Sequence, residues 1–374
     1  RTPRGNNLPD PRDFGPEVRN MSGVLTHTWF SGLFADPEIA DLLSPAADLA
    51  RYRDIEIAWT MALADVGNAD RSLCKHAAQH IATCEIADDT LRAGVIQDGL
   101  PIPAFVRALK ANATETGKQV IHFGLTSQDV MDTAMMLALK SILGLYRARL
   151  THLADALEVL ARANAGNTLM GYTRMQAALP ITADGRITTW VRPLRGYVED
   201  IARITEKLDV VQWGGPIGIR ETHPADALGP AFAARLGLSD PGFAWHTTRS
   251  DIAELGGLIA RMTGSLGKMG QDIALMAQRR ADDMTLHTGG TSSAMPHKQN
   301  PILAELLVTI AGYTSQHSGT LNSAMVHEQE RSGATWVLEF MTLPDMLQLC
   351  GTALVSAQSL IGQVVSVGVQ EAGK

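Results

Sequence analysis

Residues 126–164 read TSQDVMDTAMMLALKSILGLYRARLTHLADALEVLARAN, with no proline anywhere in the stretch. Leu139, Leu143, Tyr146, Leu150, Leu153, Leu157 and Leu160 recur at intervals of three and four, which lines them along one face of an α-helix. At the rise of an α-helix such a segment spans roughly 50 Å, about three times the length of an ordinary globular helix. A stripe that long needs apolar partners along its whole length. The stretch therefore predicts a helical bundle, with other chains supplying part of the covering surface.

The same pattern extends outward in both directions. Upstream, Ile55, Ala58, Trp59, Ala62, Leu63 and Val66 mark one face of a helix over 54–66. Asp70 or Ser72 can cap the next helix, to about Ile86, and Pro101 or Pro103 suits a helix start running to about Glu115. Downstream, long helices are expected over 183–209, 249–280, from Pro301, and over 336–365. No period-2 strand series and no solenoid repeat stands out. The fold class read from this pattern is all-α: a small helical N-terminal domain at 21–115, then a long-helix bundle at 116–374. Residues 1–20, rich in Pro, Arg, Asp and Asn, read as a disordered leader or cloning remnant ahead of a native start at Met21. A genuine N-terminal arm is the other reading.

Composition bounds the function. Of 374 residues, 45% are hydrophobic, enough for a large core, and only 5% are aromatic, which disfavours β-rich classes. The net charge of −7 argues against nucleic acid as a partner but leaves room for a small anionic substrate. No apolar run reaches the length of a membrane span, and no hydrophobic signal peptide opens the chain. Three cysteines without metal spacing fit a reducing, cytoplasmic setting.

Three breaks between the long helices hold the unusual polar residues. The first, His122-Phe-Gly-Leu-Thr-Ser-Gln-Asp129, sets Thr126, Ser127 and Gln128 at a helix start whose free N–H groups favour a carboxylate or phosphate. An ordinary capped helix start explains these residues equally well. The second, Gly171 to Thr182, places Arg174 and Gln176 in an apolar connection. Arg174 can clamp a carboxylate, although a surface arginine and a solvated glutamine are the plainer reading. The third, Gly289-Gly-Thr-Ser-Ser-Ala-Met-Pro-His-Lys-Gln-Asn-Pro301, has a Gly-Gly pair ahead of two serines and then Lys298 and Asn300. That is the composition of a mobile catalytic lid. It matches neither a phosphate-binding P-loop nor a hydrolase nucleophile elbow.

Ser292-Ser-Ala-Met-Pro-His-Lys-Gln-Asn-Pro301 resembles the Ser-Ser-x-Met-Pro-x-Lys-x-Asn-Pro signature of the fumarase/aspartase superfamily. The first break resembles that superfamily's His-x-Gly-x-Thr-Ser-x-Asp region, and Gly171 to Thr182 resembles its second region. Within it, Ile102-Pro103 with Val106 to Leu109, the run His327 to Gly333 with Trp336, and Ser31 to Phe34 resemble the cycloisomerase branch, which acts on 3-carboxy-cis,cis-muconate. The Thr-Arg-His-Asp type segment of adenylosuccinate lyases is missing.

What the resemblance implies is a set of expectations. Ser292 is the proton shuttle, and Lys298 supports its alkoxide. His122, Thr126, Ser127, Gln176, Ser293, Met295 and Asn300 bind substrate, with Arg174 and Arg331 as carboxylate clamps. Neither a metal nor a cofactor is required, and the substrate is a small tricarboxylate. The chain forms a homotetramer with a shared helical core, and each active site draws on three chains. Most superfamily lyases carry His where this chain has Arg174, and the usual C-terminal helical domain is reduced or absent. A fumarate-releasing lyase of adenylosuccinate or argininosuccinate type, and a catalytically silent scaffold, are the alternatives.

Overall fold

The computed structural model describes residues 23–220, 225–278, 283–287, 289–291, 293–295 and 298–370. The leader read at 1–20 and Ser292, the residue expected to be the proton shuttle, lie outside the described residues. The chain is 68% helical, so the all-α expectation holds.

The helices run in the order α1 (Ser31–Phe34), α2 (Pro37–Leu42), α3 (Pro45–Asp65), α4 (Arg71–Thr83), α5 (Asp88–Asp98), α6 (Ile102–Ala111), α7 (Gly117–Val120) and α8 (Ser127–Ala163). There follow α9 (Ala183–Leu208), α10 (Ala225–Leu236), α11 (Ser250–Gln278), α12 (Ile302–Ser323) and α13 (Ala334–Gly362). The periodic stretches are helices, most with nearly the expected ends; the one expected over 54–66 begins nine residues earlier, at Pro45 behind the Ser44 cap. Asp70 caps α4 by accepting the Leu73 N–H at 2.8 Å, and α6 starts behind Pro101.

The second break is not a plain connection. It folds into an antiparallel hairpin, β1 (Asn167–Thr173) and β2 (Gln176–Thr182), joined by a two-residue turn. Strand β2 is exposed at almost every position, so its sequence carries no inside–outside alternation to read. Shorter strands follow: β3 (Met284–Leu286), β4 (Gly290–Thr291), β5 (Gln299–Asn300), β6 (Val364–Val367) and β7 (Val369–Gln370). β7 pairs with β1, and β3 with β6.

The chain divides into two compact units, each built from separated stretches. One comprises residues up to 35, 44–135 and 210–246; the other comprises 36–43, 136–209 and everything from 247 on.

In the first unit α3 packs on α10. Trp59 lies at the centre, with Trp213 and Phe232 ring centroids at 5.4 and 5.2 Å, and all three rings are buried. Each such side chain contributes about 1.5–3 kcal/mol by leaving water.

In the second unit α11 lies closely along α12. The approach is set by glycines: a Cβ on Gly267 would fall 2.6 Å from Ala311 Cβ, and one on Gly270 would fall 2.5 Å from the Ala304 carbonyl oxygen. Thr263 and Thr314 share a hydrogen bond of 2.6 Å across the same seam. Arg249 holds Glu339 through Nε and Nη2, with both side chains buried. The Tyr146 hydroxyl of α8 donates to the Leu347 carbonyl of α13.

Candidate active site

The loop before α8 is fixed at both ends. His122 takes a left-handed backbone (φ 55°), rare for a residue with a side chain. Glu56 of α3 holds it there. Its Oε2 accepts the His122 backbone N–H at 3.0 Å, and its Oε1 lies 2.5 Å from His122 Nδ1. One turn further along α3, the Trp59 indole N–H donates to the Phe123 carbonyl at 2.7 Å.

At the other end Asp129, in the first turn of α8, accepts the Thr126 N–H at 2.9 Å. Burial pushes the Asp129 carboxyl up, while hydrogen bonds from His246, Thr126 and Gly215 pull it back. His122, Thr126 and Ser127 thus share one braced loop at a helix N-terminus, the arrangement suited to an anion. Glu56, fully buried, was not singled out from sequence. A lone glutamate between Ile55 and Ile57 on a long apolar helix was its only signal.

In the second unit, Arg174 and Met175 form the two-residue tip of the β1–β2 hairpin, both left-handed (φ 48° and 66°). Two successive non-glycine residues in that region store strain, about 1–3 kcal/mol each. Arg174 is exposed, and Gln176 pairs with Thr173 as β2 begins.

The signature loop is closed at its base by β4 and β5, in register Gly290 with Asn300 and Thr291 with Gln299. The glycine pair serves close packing: a Cβ on Gly290 would fall 2.1 Å from Ile302 Cδ1, and one on Gly289 would fall 2.8 Å from Gln299 Cβ. Between the strands, the Lys298 backbone N–H donates to the Met295 carbonyl at 3.0 Å, and Ser293 and Met295 are exposed.

Lys298 and Asn300 line a cavity of about 880 Å³, walled by Gln271 and Leu275 of α11, Leu286 of β3 and Glu305 of α12. Its size suits a small organic ligand. Arg174, Gln176 and Arg331 do not line it. Arg331 sits half-buried in the segment ahead of α13, where the Ser332 hydroxyl accepts the Thr335 N–H at 3.0 Å. Among the described residues no group of His, Cys, Asp and Glu could hold a metal.

The signature loop stands at the foot of α12 in a bundle of long helices. Residues 56–314 match the family model described as Lyase, and the chain belongs to that family within the fumarase/aspartase superfamily. It is 30% identical to the 3-carboxy-cis,cis-muconate cycloisomerase of Pseudomonas putida over 358 residues, covering 92% of this chain and 83% of the relative. The nitrosuccinate lyase of Streptomyces davaonensis is also 30% identical, over 357 residues, covering 91% of this chain and 75% of that protein. The solved structure of the P. putida 3-carboxy-cis,cis-muconate lactonizing enzyme superposes with a TM-score of 0.84 at 30% identity, covering 90% of this chain and 77% of that one.

Proposed function

We propose that the chain is a cycloisomerase that closes 3-carboxy-cis,cis-muconate to a carboxymuconolactone. A substrate carboxylate oxygen adds to a carbon–carbon double bond, and a proton goes to the carbon α to another carboxylate. The intermediate is a carbanion spread into that carboxylate as an enediolate, so the protein's task is to stabilise charge and place a proton. Ser292 gives the proton. Lys298 stabilises the resulting alkoxide. Asn300 holds the loop or a substrate oxygen, and the His122–Ser127 loop grips a carboxylate. Ring closure is intramolecular, so binding mainly folds the substrate into its attack geometry.

The observation that carries this reading is Arg174 at the hairpin tip. A guanidinium keeps its proton at any working pH and cannot serve as the acid that expels an amine. A carboxylate leaving group, as in the reverse of lactonisation, needs no such acid. The same argument admits a second reading, elimination of nitrite from nitrosuccinate, which the similarity to the Streptomyces lyase favours.

The site is completed by a homotetramer in which three chains contribute to each centre. The exposed apolar residues Val308 and Tyr313 on α12 and Val337 and Met341 on α13 support that assembly. Light scattering is expected to give four times the chain mass of 40.1 kDa. Three buried, unpaired cysteines fit a cytoplasmic enzyme. No helix of the described residues is long and apolar enough to cross a membrane.

The test is spectrophotometric. Wild-type protein should remove the conjugated-diene absorbance of 3-carboxy-cis,cis-muconate, and Ser292→Ala should not. Nitrite release from nitrosuccinate with no loss of diene absorbance would select the second reading.

A further inference from the structure

Asp129 and His246 form a buried pair that the chemistry above leaves unused. They are 1% and 3% exposed. One carboxylate ties together three separate stretches of the first unit. Asp129 Oδ2 accepts the N–H groups of Thr126 at 2.9 Å and Gly215 at 3.0 Å, and Oδ1 lies 2.7 Å from His246 Nε2.

The Gly215–Ile217 turn sits directly on the His122–Ser127 loop. A Cβ on Gly215 would fall 2.8 Å from the Gly124 carbonyl oxygen. The His246 ring lies beneath the same turn, where a Cβ on Gly214 would meet its Cε1 at 3.2 Å and one on Gly218 its Nδ1 at 3.5 Å. The His246 backbone is held as well, since Gln128 Nε2 donates to its carbonyl at 2.9 Å.

The plain reading is a histidine that merely fills the core. Two features speak against it. Nδ1 is buried without a hydrogen-bond partner among the described residues, so packing alone would be better served by an apolar side chain. And the carboxylate that the ring orients ends on backbone amides of the two loops around Gly124, one of them the loop carrying His122, Thr126 and Ser127.

We infer that His246, acting through Asp129, is a positioning residue that holds the His122–Ser127 loop and the Gly214–Gly218 turn in the geometry that grips a substrate carboxylate. The inference rests on the carboxylate-binding role proposed for that loop. With Nε2–H donating to Oδ1, Oδ2 remains free to accept two amides at once. Without that donor the buried carboxylate protonates or turns away, and both amides lose their anchor.

The test compares His246→Leu with His246→Gln, whose amide can still donate to Asp129, and with Asp129→Ala. Two readouts are followed: amide hydrogen exchange by mass spectrometry, and steady-state kinetics with 3-carboxy-cis,cis-muconate. In His246→Leu, exchange in peptides covering 123–130 and 212–218 should quicken at least tenfold while α4, in the same unit, keeps its rate. KM should rise at least tenfold with kcat changed less than threefold, and His246→Gln should restore most of both.

Equal quickening throughout the unit, no quickening, or an unchanged KM overturns the inference. Should His246→Leu fail to fold, Asp129→Ala, which removes the accepting oxygens, must show the same local loosening or the inference falls. Should the wild type leave the muconate untouched, the cycloisomerase reading fails separately, and the exchange pattern alone decides the positioning role.

Discussion

Gly270→Ala tests the seam on which the signature loop stands. The added Cβ would lie 2.5 Å from the Ala304 carbonyl oxygen, about half an ångström inside the closest approach a real Cβ makes. Ala304 belongs to the first turns of α12, so the obstacle is backbone and cannot swing aside. Overpacking of this kind costs about 1–3 kcal/mol, while replacing a mid-helix glycine by alanine returns up to about 1 kcal/mol. The net expectation is a loss of roughly 0–3 kcal/mol. Gly264→Ala is the internal control. It lies in the same helix, is exposed, and has nothing within 4 Å of its added Cβ, so it should gain up to ~1 kcal/mol. The pair therefore differs by about the clash itself. At ~2–4 °C per kcal/mol, the two variants should melt about 2–12 °C apart in scans at one heating rate, with Gly270→Ala lower. Equal melting temperatures, or Gly270→Ala the higher, would refute the close approach of α11 to α12.

Arg249→Met leaves the buried Glu339 carboxylate without its bidentate partner and should cost about 3–5 kcal/mol in urea unfolding. The double variant with Glu339→Leu should recover most of the loss. Burial pushes the Cys350 thiol from 9.0 up to about 12. The unfolded chain therefore ionises above pH 9 while the folded chain holds its proton, and stability falls as pH climbs from about 9 toward 12. Cys350→Ala should flatten that alkaline decline in urea midpoints, and native Cys350 should not react with a disulfide reagent at pH 8. With Arg174 as the proposed carboxylate clamp, Arg174→Ala removes a charged hydrogen-bond donor to substrate, worth about 1.5–3 kcal/mol. It should raise KM for 3-carboxy-cis,cis-muconate by ~10–100-fold in initial-rate assays and leave the melting temperature unchanged.

The long helices were legible because their cores repeat. Expected at 183–209 and 249–280, they occur at Ala183–Leu208 and Ser250–Gln278, since a stripe of apolar residues every three to four positions has few other ways to be buried. Helix α10 escaped notice because Pro230 and Gly229 sit inside it. The β1–β2 hairpin escaped because β2 buries almost nothing and its turn carries Arg174 and Met175 instead of the usual Asn-Gly. At the site, the polar loops announced themselves by composition, but their supports did not. Glu56 and His246 act through partners 66 and 117 positions away in the chain, and no local spacing encodes such a bond. The Gly289–Gly290 pair reads in sequence as part of a mobile lid, yet in the structure both glycines pack closely, Gly289 against Gln299 and Gly290 against Ile302.

The central claim is that this chain delivers a proton to carbon while a carboxylate closes onto a double bond. Proton NMR of 3-carboxy-cis,cis-muconate with wild-type enzyme in D₂O follows both events in one sample. The account predicts a lactone carrying one solvent-derived deuterium on the carbon α to a carboxylate, formed by the wild type and not by Ser292→Ala. Unchanged muconate, or the same deuterated lactone from both proteins at equal rates, would contradict it.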